Sequence, residues 1–396
     1  MNEALGRRVD PVESARHQSW RQVSMLRRWL FLCTFCAAWP MALAAHAQPP
    51  AAAEQLAAAM TAARRAGVRW TQTTLAAPEL AQNVEGRRGE LSVGLHLPAD
   101  PSACNGPAHP CALVVFLPGF GTSPLIYGPA NNAFFQAVDA AVDADRLPPL
   151  LVVVVDGRTR LGGGWYVDSP STGAWTTLLA ERLLPALGAA TGQPGRPVVL
   201  AGHSMGGFGA LHVAMAWPSV VAGVVSISPV VRSRVLAERL LPVVSRAHPR
   251  TPPTLVETWP RWSKSTFSEK LTWALLAAWA PAPEAPMGAP AQPFEPDGPP
   301  WRLRANFAKL VARFDVPDRL AGLDAATARK LPRVYLAIGR NDGLTPEAHL
   351  QAVARAWAKA SHRPKSVRLR VHAGDHASRM VQDFLDGLAF VLQASP

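Results

Sequence analysis

The residues best suited to chemistry surround a sharp turn at Ser204. An apolar run over 197–201 predicts a short strand buried on both faces, and a helical pattern follows over 208–217. Between them stands Gly-His-Ser-Met-Gly-Gly, a G-x-S-x-G turn that should raise the serine side chain above the sheet edge at a strained backbone angle. Gly202 and Gly206 would let strand and helix approach closely on either side. The pattern predicts a serine nucleophile; the alternative is a glycine-rich turn that happens to hold a serine.

Strands and helices alternate along the chain on both sides of this turn. Strands are predicted at 91–97, 112–117, 150–155, 220–227, 334–338 and 367–371, and helices at 133–142, 346–358, 377–392 and from an N-cap at Thr172 to Leu187. Continuously apolar strands are typical of the middle of a parallel sheet. We therefore predict an α/β fold of the α/β-hydrolase type, with a mostly parallel central sheet, helices on both faces and an inserted cap.

A nucleophilic serine needs an acid and a base, which α/β-hydrolases supply later in the chain in the order acid, then histidine. Each should lie on a loop at the carboxyl end of a strand, because those loops converge above the sheet. Asp342 follows the strand at 334–338, and His376 follows the strand at 367–371. We expect Asp342 to be the acid and His376 the base.

Neighbouring residues fit these roles less well. Asp375 adjoins His376 and is awkwardly placed to orient its neighbour's ring. His372 ends a strand and is expected to pack or cap, and His203 and His212 flank the turn at positions typical of structural residues.

The strand at 112–117 ends in a second glycine-rich turn, Pro-Gly-Phe-Gly-Thr-Ser, where this architecture places an oxyanion donor. Taken together, the motifs resemble the esterase-D-like family of α/β-hydrolases, which includes S-formylglutathione hydrolases, feruloyl and siderophore esterases and secreted mycolyltransferases. The matching segments are L-P-G-F-G-T-S (117–123), V-D-G-R-T-R (155–160), G-W-Y-V-D-S-P (164–170), G-H-S-M-G-G-F-G-A (202–210), G-R-N-D (339–342) and G-D-H (374–376).

This resemblance covers 85–230 and 331–396. It implies Ser204 as nucleophile, Asp342 as acid and His376 as base. It also implies that the backbone N–H groups of Phe120 and Met205 form the oxyanion hole.

Regular alternation stops over 231–330, a helical and proline-rich segment that we interpret as a cap inserted between two strands. Its proline-rich piece, 280–293, is expected to act as a stiff linker. Five of the ten tryptophans after residue 48 lie within the inserted segment 231–330. They are expected either to line an apolar pocket or only to pack the cap's helices together.

The N-terminal residues read as an export signal over 1–47. Arg27 and Arg28 precede an apolar stretch, and Ala45-His46-Ala47 forms a small-x-small cleavage pattern before Gln48. An uncleaved anchor is the alternative, and translation could begin at Met1 or Met25. An alanine-rich tether is expected over 48–84, followed by the hydrolase domain over 85–396 with its cap at 231–330.

Cysteine usage agrees with a periplasmic or secreted location. Cys104 and Cys111 are the two cysteines after residue 48, and they close a short loop. In an oxidising compartment such a pair predicts a disulfide. A metal site would need further ligands, and His109 alone does not supply them.

The 396-residue chain has a net charge of +12. Residues 1–47 hold six arginines and three acids, which leaves 34 basic and 25 acidic residues, a net of +9. No dense Lys/Arg run with interleaved aromatics follows residue 48, which argues against a nucleic-acid-binding role.

The sequence therefore predicts an exported serine carboxylic-ester hydrolase that needs no metal or cofactor. Its substrate would be a small-molecule, lipid or glycan ester, and no membrane span is expected after signal cleavage. Two alternatives stay open: an acyltransferase to a sugar or lipid hydroxyl on the same scaffold, and a non-catalytic surface-binding module. The sequence does not indicate an oligomeric state.

Overall fold

The computed structural model describes residues 50–81, 83–84, 89–100, 102–108, 111–128 and 133–393. The expected export signal over 1–47 and its cleavage site lie outside these residues.

An eight-stranded sheet forms the middle of the fold. Its strands are β1 (Trp70–Ala76), β2 (Glu90–His96), β3 (Ala112–Leu117), β4 (Leu150–Val155), β7 (Val198–His203), β8 (Val221–Ile227), β9 (Arg333–Gly339) and β10 (Val367–His372), and a separate hairpin pairs β5 (Asp168–Ser169) with β6 (Gly173–Ala174). The sheet order is β1-β2-β4-β3-β7-β8-β9-β10. The β1–β2 and β2–β4 pairs are antiparallel, and every pair from β4 to β10 is parallel. The predicted mostly parallel α/β-hydrolase architecture is confirmed.

Position in the sheet explains the apolar patterns of the strands. Every residue of β3 and β4 is buried, because these strands lie inside the sheet and are covered on both faces. Strand β10 instead alternates between exposed and half-buried residues along most of its length, as an edge strand can. A continuous apolar run therefore marked the inner strands.

Helices cover both faces. They are α1 (Pro50–Arg65), α2 (Ala133–Asp143), α3 (Trp175–Thr177), α4 (Leu184–Ala190), α5 (Met205–Ala216), α6 (Ser233–Ala247), α7 (Leu255–Thr258), α8 (Phe267–Trp279), α9 (Ala305–Ala312), α10 (Val316–Ala321), α11 (Ala325–Lys330), α12 (Glu347–Ser361) and α13 (Met380–Leu392). A π-helical turn, Leu178–Leu183, joins α3 to α4. Val114 packs into one core with Phe134 and Phe384, whereas Val115 packs into the larger core on the other face.

The expected start of one helix is wrong by two residues. Thr172 was predicted as its N-cap, but the first helical residue is Trp175 and Ala174 precedes it. The backbone carbonyl of Thr172 instead accepts a hydrogen bond of 2.9 Å from the indole N–H of Trp175. No side chain caps the start of this helix.

The expected tether over 48–84 is also corrected. Helix α1 packs against α4 and β1, and it buries Leu56 and Met60 in the larger core. Strand β1 pairs with β2 along its whole length, from Trp70 opposite His96 to Ala76 opposite Glu90. These elements belong to the folded domain because their apolar faces are buried in it.

The segment between β8 and β9 contains helices α6 to α11. Its proline-rich piece is held in place rather than acting as a spacer. The N–H of Ala282 donates to the carbonyl of Gly288 (3.0 Å), which also accepts from the hydroxyl of Ser171 (2.7 Å). Of the segment's five tryptophans, Trp273, Trp279 and Trp301 are fully buried, so these three serve packing.

Cys104 and Cys111 form a disulfide, with Cα atoms 4.8 Å apart. Within the ranges given above, no helix is both long enough and apolar enough to cross a membrane.

The packing of α1 yields a test of the corrected boundary. Leu56→Ala should lower the free energy of unfolding by about 2–5 kcal/mol, because it removes a fully buried side chain. Glu54→Ala, on the exposed side of the same helix, should change it by less than about 0.5 kcal/mol. Urea unfolding of both variants measures the difference. Equal, small effects of both substitutions would contradict the packing of α1 in the domain and support the expected tether.

Candidate active site

Ser204 occupies a strained turn between a strand and a helix. Strand β7 ends at His203, α5 begins at Met205, and Ser204 has φ 57° and ψ −117°. A residue with a Cβ rarely adopts such backbone angles, and holding it there costs about 1–3 kcal/mol. The sequence predicted this strained turn, and the structure confirms it.

Two glycines allow the turn to close. A Cβ on Gly202 would lie 2.3 Å from the carbonyl oxygen of Gly206, so strand and helix can meet here without a side chain between them. A Cβ on Gly206 would lie 1.7 Å from the carbonyl oxygen of Leu117, at the end of β3. The expectation that both glycines serve close approach is confirmed.

The structure brings Asp342 and His376 together. Oδ2 of Asp342 lies 2.8 Å from Nδ1 of His376, and Oδ1 accepts from the N–H groups of Leu344 (2.8 Å) and Thr345 (3.0 Å). A carboxylate can only accept, so Nδ1 carries a hydrogen, and in the neutral ring Nε2 then keeps its lone pair. This tautomer is the one that a general base requires.

Several charges and hydrogen bonds act on the Asp342 carboxyl. Burial raises its pKa, but the hydrogen bond and charge of His376 and the N–H groups of Thr345 and Leu344 outweigh burial. The pKa of Asp342 therefore lies below its ordinary value. The group is ionised at neutral pH and able to hold the imidazole.

The turn that carries His376 lies beside the serine. His203, adjacent to Ser204, has its Nε2 atom 2.8 Å from the carbonyl oxygen of His376. The two imidazole rings are 4.9 Å apart between centroids. The structure thus places the acid–histidine pair next to the turn.

Two backbone N–H groups flank Ser204. Met205 is the first residue of α5, and Phe120 follows Gly119, where an added Cβ would lie 3.5 Å from the Cβ of Ser204. Among the described residues, neither N–H donates to a protein acceptor. The positive end of α5 adds to the attraction for negative charge at this place.

The loop over 157–164 packs against both of these residues. A Cβ on Gly162 would lie 2.5 Å from the ring of Phe120, and one on Gly163 would lie 2.5 Å from Sδ of Met205. Gly121 also donates its N–H to the carbonyl of Gly162 (2.9 Å). The loop thus packs against the side chains of Phe120 and Met205 and is bonded to the turn after β3.

The rival residues have other partners. Asp375 accepts from the N–H groups of Ala377 and Ser378 at the turn before α13. His372 accepts from the N–H of Gly374 (3.1 Å). His212 is buried against Arg319, and burial together with the charge of Arg319 lowers the pKa of His212 well below its ordinary value.

The inserted segment contributes one exposed aromatic residue that sequence reasoning missed. Phe267 begins α8, is 55% exposed, and packs edge-to-face on Phe120 with ring centroids 5.8 Å apart. Thr266 and Glu269 form a capping box there, a pattern that could have located the helix start. Nothing in the sequence could have placed that start beside Phe120.

Comparison with known proteins identifies the family. Residues 114–386 match the model of the alpha/beta hydrolase family, and the chain belongs to that family. No curated protein matches the chain.

The chain is similar to several solved structures at low identity. A ferulic acid esterase is 13% identical with a TM-score of 0.50, over 81% of this chain and 97% of its own. A fluorophosphonate-binding serine hydrolase of Staphylococcus aureus is 13% identical with a TM-score of 0.48, over 82% of this chain and 98% of its own. An S-formylglutathione hydrolase from Agrobacterium tumefaciens is 16% identical with a TM-score of 0.44, over 80% of this chain and 91% of its own.

Proposed function

We propose that this alpha/beta hydrolase is an exported serine carboxylic-ester hydrolase. The observation that carries the proposal is the pairing of His376 with buried Asp342, at 2.8 Å, beside the strained Ser204. A nucleophile, a base in the required tautomer and an ionised acid are the groups that acyl transfer through a serine needs.

The reaction follows from the roles of these groups. Oγ of Ser204 attacks the ester carbonyl carbon while Nε2 of His376 takes its proton, and the N–H groups of Phe120 and Met205 hold the oxyanion. His376 then gives the proton to the leaving alkoxide, and an acyl-serine remains. Water attacks this intermediate with His376 again as base, which releases the acid and restores Ser204.

We further propose that the chain is of the esterase-D-like type within its family. The segments 117–123, 164–170 and 202–210 support this: the first and third carry Phe120, Ser204 and Met205, and Tyr166 of the second donates to the carbonyl of Pro118 (3.1 Å). The substrate would be a small-molecule, lipid or glycan ester.

The apolar part of that substrate would bind near Phe267. This side chain is exposed, belongs to the inserted segment, and touches the residue proposed to donate to the oxyanion. Arg160 forms a cation–π pair with Trp259 of the same insertion, with 5.4 Å from guanidinium to ring. These groups, rather than the buried tryptophans, are available to a substrate.

We also propose that residues 1–47 direct export and are removed, that 50–396 form one hydrolase domain, and that 231–330 cap it. The Cys104–Cys111 disulfide supports an oxidising compartment.

Ser204→Ala should abolish ester hydrolysis and fluorophosphonate labelling. Loss of a serine nucleophile lowers kcat more than about a thousandfold. The melting temperature should stay unchanged, and Ser219→Ala, on an exposed turn, should keep full activity. Residual turnover above about 1% would contradict the role of Ser204.

Asp342→Asn should lower kcat about a thousandfold or more, because the amide no longer fixes the imidazole tautomer. Asp375→Asn should lower it less than about tenfold, since Asp375 only caps a turn. Steady-state kinetics on one chromogenic ester compares the two. The reverse ranking would identify Asp375 as the acid.

Phe267→Ala should lower kcat/KM progressively more as the acyl chain lengthens, since each buried methylene contributes up to about 0.8 kcal/mol. Its melting temperature should change little. Trp279→Phe, inside the core, should lower the melting temperature and affect all esters alike. A uniform loss for Phe267→Ala across the ester series would rule out contact with the acyl chain.

The exported protein should begin at Gln48 and contain no free thiol. Intact-mass measurement before and after reduction should show a gain of two hydrogens. A retained N-terminal segment would refute cleavage, and thiol alkylation without reductant would refute the disulfide.

A further inference from the structure

One half-buried imidazole beside the nucleophile has no role in the reaction described above. His203 ends β7, and its Nε2 atom lies 2.8 Å from the carbonyl oxygen of His376. A carbonyl oxygen can only accept, so the hydrogen must be on Nε2 of His203. The ring therefore donates to the main chain of the proposed base.

The surroundings of His203 favour this neutral form. Burial and the charge of His376 lower the pKa of His203 to about 4, although the bond to the His376 carbonyl and the charge of Asp342 act in the opposite direction. The ring of His203 also lies against the turn that carries Gly119 and Phe120, since a Cβ on Gly119 would lie 3.4 Å from Nδ1 of His203. One imidazole thus contacts the turns that carry the base and an oxyanion donor.

A second histidine, His372, holds the loop that carries His376 at another point. The N–H of Gly374 donates to Nδ1 of His372 (3.1 Å), which leaves the hydrogen of His372 on Nε2. That atom lies 3.3 Å from Oδ2 of Asp383, a fully buried carboxyl of α13. His372 therefore fixes residue 374, and His203 fixes residue 376.

We propose that His203 is a positioning residue that holds the backbone of His376 through its Nε2–H group and so sets the approach of the His376 ring to Ser204. The bond to Asp342 fixes the rotation and tautomer of that ring, but it does not by itself remove the freedom of the backbone at residue 376 to shift. A displacement of about 1 Å at a reacting group can cost a hundredfold in rate. The carbonyl bond removes that freedom.

The test rests on the proposed esterase activity and uses two substitutions that differ in one donor. His203→Gln keeps an N–H group near the position of Nε2, whereas His203→Met fills the space without a donor. His203→Met should lower kcat about ten- to a hundredfold with KM within about twofold, and His203→Gln should stay within about threefold of wild type in kcat. Melting temperatures are measured beside the kinetics.

Three kinetic results would overturn the proposal: full activity of His203→Met, equal losses in both variants, or a loss that appears in KM alone. A loss of kcat in His203→Met that His203→Gln restores supports it.

A second measurement on the wild-type chain does not depend on variants that fold or on activity. The imidazole ¹⁵N shifts of His203 at neutral pH should report a neutral ring with hydrogen on Nε2. The Nδ1–H tautomer, which has no hydrogen on Nε2, would refute the proposed bond. If wild type hydrolyses no ester while the ¹⁵N shifts are as expected, the proposed function fails and the backbone contact stands.

Discussion

The contact on which the site depends is the backbone approach between α5 and the ends of β7 and β3. Gly206 lies so close to the Leu117 carbonyl that no other residue fits, and Gly202 faces the carbonyl of Gly206 in the same way. Ser204 is held at its strained angles by its N–H bond to Ile227 (2.9 Å) and by the bond that its carbonyl accepts from Phe208 (3.0 Å). The burial of α5 on all sides offsets that local cost, because the helix cannot move away to relax the turn.

The parallel sheet turns this local geometry into an assembled site. Adjacent parallel strands end at the same edge, so the loops after β9 and β10 must meet. Backbone bonds then join the two loops directly: Arg340 donates to the carbonyl of His372 (2.8 Å) and Asn341 to that of Gly374 (3.1 Å). Consequently the register of two strands, and not the side chains alone, sets the distance between Asp342 and His376.

The inner strands and the turn at Ser204 could be predicted from sequence because each leaves a local pattern. Asp342 and His376 could be chosen because each follows a strand, in the order typical of α/β-hydrolases. Strand β1 could not be predicted, since Trp70–Ala76 shows no regular apolar alternation and contains one buried residue; its pairing with β2 holds it in the sheet. The cap expected at Thr172 was wrong: the backbone carbonyl of Thr172 accepts from the indole of Trp175, and the helix begins only at Trp175. Phe267 and the carbonyl partner of His203 depend on chain segments more than a hundred residues apart, which no local pattern records.

Packing also limits what the inserted segment can do. Trp279 of α8 stacks on Phe314 with ring centroids 5.6 Å apart, and it contacts Phe208 of α5 with ring centroids 5.2 Å apart. Arg319 of α10 donates to the neutral ring of His212, and burial lowers the pKa of Arg319 to about 10. The insertion therefore shares one core with the helix that positions Ser204. Movement of the segment as a rigid lid would expose that core, and Phe267 lies at the segment's edge, where its ring meets that of Phe120.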